Sequence, residues 1–119
     1  MAIQGLFYIM ILASDLERSK AFYRDQLGWR LDTDVPGQVA GLWFGEAYLV
    51  VTQDHRPESE RRYAGGSEFS VKVDDLDAQH AQLTKAGVAV SAIRKQPWGE
   101  TNFAFKDPDG YPWLYGAAT

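Results

Sequence analysis

The 119 residues carry 12 Lys and Arg against 16 Asp and Glu, a formal charge of −4, with 45% hydrophobic and 24% charged residues. This ordinary globular composition excludes a disordered, collagen-like or fibrous chain and predicts a single domain. The acidic balance, with no basic tract longer than Arg61-Arg62, argues against nucleic acid as a partner, and the absence of Cys removes disulfides, thiolate metal sites and Cys nucleophiles.

In chain order, the apolar run from Leu6 to Ala13 is too short to cross a membrane and lacks the flanks of a signal peptide, so a cytoplasmic chain with no membrane partner is expected. Its alternation, with Ile9, Ile11 and Ala13 on one side, predicts a half-buried strand. A helix follows at once: Ser14 with Glu17 reads as a capping box, and Leu16, Ser19, Tyr23 and Leu27 share one face with Phe22 beside them. Gly28 is the natural stop. Trp29 to Thr33 predicts the next strand, with Trp29 packed under the helix, and two further strands are joined by a tight turn at Gly45-Glu46. Residues 54–66, polar, broken by Pro57 and ending in Gly65-Gly66, predict a mobile connector that serves as a lid, a dimer arm or a plain linker.

The pattern then returns. Glu68-Phe-Ser-Val-Lys-Val-Asp-Asp-Leu76 repeats the hydrophobic pattern of Tyr8-Ile-Met-Ile-Leu-Ala-Ser-Asp-Leu16 at an offset of sixty. Phe69, Val71 and Val73 alternate as in a strand, and Asp74 with Asp77 opens a helix carrying Leu76, His80 and Leu83 that stops at Gly87. Val88 to Ile93 alternates again, and Asp107-Pro-Asp-Gly110 marks the last tight turn. Residues 1–53 and 67–119 therefore each read as a βαβββ module of an α+β domain.

Two motifs, Ser14-Asp-Leu-Glu-Arg-Ser-Lys-Ala-Phe-Tyr-Arg-Asp-Gln-Leu-Gly-Trp29 and Asp107-Pro-Asp-Gly-Tyr111, together with the duplication, resemble the vicinal oxygen chelate superfamily. Its members include glyoxalase I, extradiol dioxygenases, fosfomycin resistance enzymes and bleomycin resistance proteins. The resemblance implies one glyoxalase/bleomycin-resistance-like domain over residues 1–119, its two tandem modules forming a curled eight-stranded sheet around a cavity, and a homodimer. It also implies a divalent metal held at four positions, which fall here on Tyr8, Val50, Glu68 and Leu114. Only Glu68 is a good ligand, and a catalytic ion wants three or more donors. No metal, cofactor or catalytic residue is therefore expected. Neither histidine compensates: His55 falls in the connector, and His80 reads as a half-buried side chain with one hydrogen bond.

Strand parity selects the side chains that share a face with those positions. In the first module they are Tyr8, Met10, Tyr48, Val50 and Thr52, and in the second Glu68, Ser70, Pro112 and Leu114. One of Trp43 and Phe44 joins them, whereas Trp113 has the opposite parity and should face the helices. In Gln96-Pro-Trp-Gly99, the backbone displays Trp98 for stacking on a flat ligand, and the Pro-Trp-Gly segment resembles the one bordering the ligand groove of bleomycin resistance proteins. The expected function is metal-free sequestration of an aromatic antibiotic or toxin. The alternatives are a metal-independent isomerase or lyase, with Glu68 as general base and Tyr8 as hydrogen-bond donor, and a vestigial interaction module.

Overall fold

In the computed structural model, which describes residues 2–118, the chain divides into two compact units, the first ending at Tyr63 and the second beginning at Ala64. The first unit runs β1 (Ile9–Ala13), α1 (Leu16–Ala21), β2 (Arg30–Val35), β3 (Val39–Phe44) and β4 (Ala47–Gln53). Asp15, one residue later than the expected Ser14, is the N-cap: its backbone is extended at φ −141°, and its Oδ1 accepts from Arg18 N–H at 3.2 Å. Beyond Ala21 the helix widens into a π turn over Phe22–Gln26 and ends at Gly28, whose φ of 76° is costly for any other residue. Trp29 is buried as expected, stacked on Phe44 at a centroid distance of 4.4 Å.

Strand order in this sheet is β1-β4-β3-β2, with β1 parallel to β4 and the other pairs antiparallel. Ile11, Ala13, Ala40, Leu42, Leu49 and Val51 are buried on the face carrying α1, together with Leu16 and Tyr23. Their burial is the main source of the unit's stability, at roughly 1.5–3 kcal/mol for each large aliphatic side chain.

The second unit repeats the plan as β5 (Phe69–Lys72), α2 (Leu76–Lys85), β6 (Arg94–Lys95), β7 (Glu100–Lys106) and β8 (Pro112–Ala118), in the sheet order β5-β8-β7-β6. Asp75 caps α2 by accepting from Ala78 N–H at 3.0 Å, again one residue beyond the expected Asp74. Phe103, Phe105, Trp113 and Tyr115 form the buried aromatic core, with Trp113 on the helix side as its parity requires. His80 has the single hydrogen bond expected of it, Nε2 to Ser91 O at 2.9 Å, and its ring stands edge-on to Phe103. Val88 to Ile93 does not form a strand; the paired segment is only Arg94–Lys95.

The expectation of one curled eight-stranded sheet around a cavity is overturned. The strands form two separate four-stranded sheets, and neither is closed. The reason lies in the parallel pairs: β1 takes β4 of its own unit as partner and β5 takes β8, so each module completes its ladder internally and ends on edge strands.

The stretch expected to be a mobile connector is anchored at its start. Asp54 is buried and donates its N–H to Ala13 O at 2.8 Å. Its carboxylate accepts from Arg56 N–H at 2.9 Å, Arg56 Nε at 3.0 Å, Arg56 Nη2 at 2.8 Å and Tyr63 Oη at 2.9 Å. The Arg56 guanidinium, helped by the Arg56 N–H and the Tyr63 hydroxyl, holds this carboxyl well below the usual carboxylate range against the opposing effect of burial. Among the described residues, no helix is long and apolar enough to cross a membrane.

Candidate functional site

Each sheet has a second face, away from its helix, and the sequence-selected side chains lie on these faces or at their edges. In the first unit, Met10 pairs with Val50 and Trp43 with Tyr48, so register decides that Trp43 joins this face while Phe44 packs on Trp29. Trp43 and Tyr48 meet edge to face at 4.6 Å, and the Arg30 guanidinium lies 5.8 Å from the Trp43 ring centre. The Tyr48 ring lies across Gly41: a Cβ there would be 2.6 Å from Tyr48 Cζ and closer still to the hydroxyl. That hydroxyl donates to Asp32 Oδ2 at 2.9 Å and lies 3.0 Å from Thr33 Oγ1. Tyr8, just before β1, and Met10 are 48% and 52% exposed. Tyr8 and Tyr48 border a hollow of about 230 Å³ between the segment Leu6–Ile9 and the start of β4.

In the second unit, Ser70 pairs with Leu114 and Leu114 with Ala104, while Lys72, Gly116, Asn102 and Arg94 form the next row across the sheet. Two grooves flank Leu114. One, of about 390 Å³, is lined by Glu68, Ala89, Ala104, Phe105, Lys106 and Pro112. The other, of about 340 Å³, includes Ser70, Lys72, Trp98, Glu100 and Gly116. Ser70 and Trp98 thus come together, whereas Glu68 stands exposed at the other groove.

Trp98 is 68% exposed because of its turn. Gly99 N–H closes onto Gln96 O at 3.3 Å and Gln96 N–H onto Glu100 O at 2.7 Å, linking β6 to β7. Pro97 sets the first corner and Gly99, at φ 93°, the last, so the indole between them projects from the hairpin end. Behind it runs a polar chain: Gln96 Nε2 donates to Asn102 Oδ1 at 3.1 Å, and Asn102 Nδ2 donates to Glu100 Oε2 at 2.8 Å. Lys72, Glu100 and Asn102 were missed by sequence reasoning. Their signal was present, since all three share the parity that singled out Ser70 and Leu114.

A divalent ion does not fit this donor set. Of the four positions at which the resemblance places metal ligands, Val50 and Leu114 have no donor atom, Tyr8 offers a phenol and Glu68 one carboxylate. Among the described residues, no three His, Asp or Glu side chains are grouped so as to hold an ion. Chemistry at the open faces rests on stacking, hydrogen bonds and the charges of Lys72, Glu100, Glu68 and Lys106.

Residues 5–115 match the Glyoxalase/Bleomycin resistance protein/Dioxygenase superfamily. The uncharacterized protein YaeR of Escherichia coli is 32% identical over 122 residues, covering 94% of this chain and 95% of its own. The metallothiol transferase FosB of Lysinibacillus sphaericus is 26% identical over 125 residues, covering 100% of this chain and 86% of its own. Among solved structures, a lactoylglutathione lyase from Agrobacterium tumefaciens has the same fold, with a TM-score of 0.78 at 21% identity over 98% of this chain and 96% of that one.

Proposed function

The chain belongs to the Glyoxalase/Bleomycin resistance protein/Dioxygenase superfamily, and from that premise we propose that it is a metal-free small-molecule binding protein that takes a flat aromatic ligand, an antibiotic or toxin, against Trp98. The observation that carries this reading is the exposed indole held at the mouth of a groove of about 340 Å³ in its own unit. Apolar contact with the ring supplies affinity, and the polar groups of the floor set orientation. Contacts from Ser70 and Leu114 belong to the same proposal, and the Tyr8, Met10, Trp43, Tyr48 and Val50 face of the first unit is proposed separately as a ligand-contacting surface of its own. So does a homodimer, supported by the almost fully exposed Ile3, Leu6 and Phe7 and checked by light scattering. Tryptophan fluorescence of the chelator-treated protein, titrated with planar antibiotics, should quench saturably, and Trp98→Ala should abolish the change. Equal quenching in Trp98→Ala refutes the assignment.

A second reading is favoured by the presence of Glu68 beside its own groove of about 390 Å³. In it the protein is a metal-independent lyase or isomerase in which Glu68 removes a proton from a substrate held in that groove. Turnover of small dicarbonyls that is lost in Glu68→Gln while binding persists selects this reading. Indifference of every assay to both Glu68→Gln and Trp98→Ala selects a vestigial interaction module.

A further inference from the structure

We propose that the Trp98 groove is built for a zwitterionic aromatic ligand, with the amino group received by Glu100 and the acidic group by Lys72; the inference rests on the reading of this groove as the ligand site. Asn102 is only 4% exposed and uses both ends of its amide, accepting from Gln96 and donating to Glu100 Oε2. The amide is fixed, and with it the carboxylate it holds. Gly116 supplies the room: a Cβ there would be 2.7 Å from Glu100 Oε2, so the carboxylate lies over the central strand β8 where any other residue would place its side chain. One carboxylate oxygen is spent on Asn102, and Oε1 is left to receive a donor.

Lys72 lies on β5, directly across from Gly116, on the side away from β7. The two charges flank a strand position without a side chain, and neither makes an ion pair among the described residues. A purely cationic ring would gain from Glu100 and be repelled by Lys72, and a purely anionic one would meet the reverse. A ligand bearing both signs satisfies both groups while its ring stacks on Trp98.

Calorimetry with indole, tryptamine, indole-3-acetate and tryptophan holds the ring constant while the charge varies. Tryptophan should bind most tightly, about tenfold better than either singly charged probe. Glu100→Gln should bring tryptophan to the level of indole-3-acetate, and Lys72→Met should bring it to that of tryptamine. Indole carries neither charge, so its affinity should fall far less than that of tryptophan in both variants, and circular dichroism should show both variants folded. Trp98-dependent binding of all four probes without this ranking overturns the zwitterion inference and leaves the groove reading standing. Absence of Trp98-dependent heat with every probe overturns both.

Discussion

Replacing Gly41 with Ala tests how the open face of the first sheet is built. The added methyl would fall inside the Tyr48 hydroxyl and 2.6 Å from its Cζ, so the ring must swing away. The ring then loses its hydrogen bond to Asp32 at 2.9 Å, about 1 kcal/mol at a partly exposed site. It also loses its edge-to-face contact with Trp43, about 1 kcal/mol more. Alanine regains about 0.5 kcal/mol over glycine in a strand. The net cost is about 1.5 kcal/mol, or about 6 °C in melting temperature. Urea denaturation of wild type, Gly41→Ala, Tyr48→Val and the double variant gives the coupling directly. With Tyr48→Val in place, Gly41→Ala should become neutral or slightly stabilising. An equal cost in both backgrounds would show that the Tyr48 ring is not what claims the space above Gly41.

Asp54 has a folded pKa below its unfolded value, so its contribution to stability is complete above the unfolded pKa and fades as pH falls toward the folded one. The melting-temperature gap between wild type and Asp54→Asn should be constant from about pH 7 to about pH 5 and shrink below about pH 4; a gap that widens in acid contradicts the Arg56 and Tyr63 pairing. Leu83 is the fully buried anchor of α2, and Leu83→Ala should cost about 3 kcal/mol in urea unfolding. A cost below about 1 kcal/mol would show that α2 is not held to its sheet by this side chain.

Sequence periodicity carried the elements well because helix stops and turns are local chemistry. Gly28, Gly45, Gly87 and Gly110 all have the positive φ their turns require. The caps shifted by one residue because Ser14 and Asp15, like Asp74 and Asp75, are both competent acceptors, and only backbone geometry decides between them. Alternation also placed Trp113 in the core correctly, and the helix stop at Gly28 did the same for Trp29. It could not tell an open face from a cavity wall, because both show the same parity, and the partner of an edge strand is written nowhere in that strand. The curled eight-stranded sheet around a cavity came with the family resemblance, and two open four-stranded sheets stand in its place. Lys72, Glu100 and Asn102 escaped for a related reason: each reads as an ordinary polar strand residue until the register puts them beside Gly116 and under Trp98. Asp54 escaped because a carboxylate at the head of a polar segment looks solvated until Arg56 and Tyr63 fold back onto it.

The central claim is that a small aromatic molecule binds at the Trp98 hairpin without metal, and amide chemical-shift mapping of the chelator-treated protein tests it most directly. On titration with tryptophan, shifts should concentrate at residues 70–72, 98–100 and 116–118 and saturate together. Shifts confined to Tyr8, Met10, Tyr48 and Val50, or seen only after a divalent ion is added, would contradict the account.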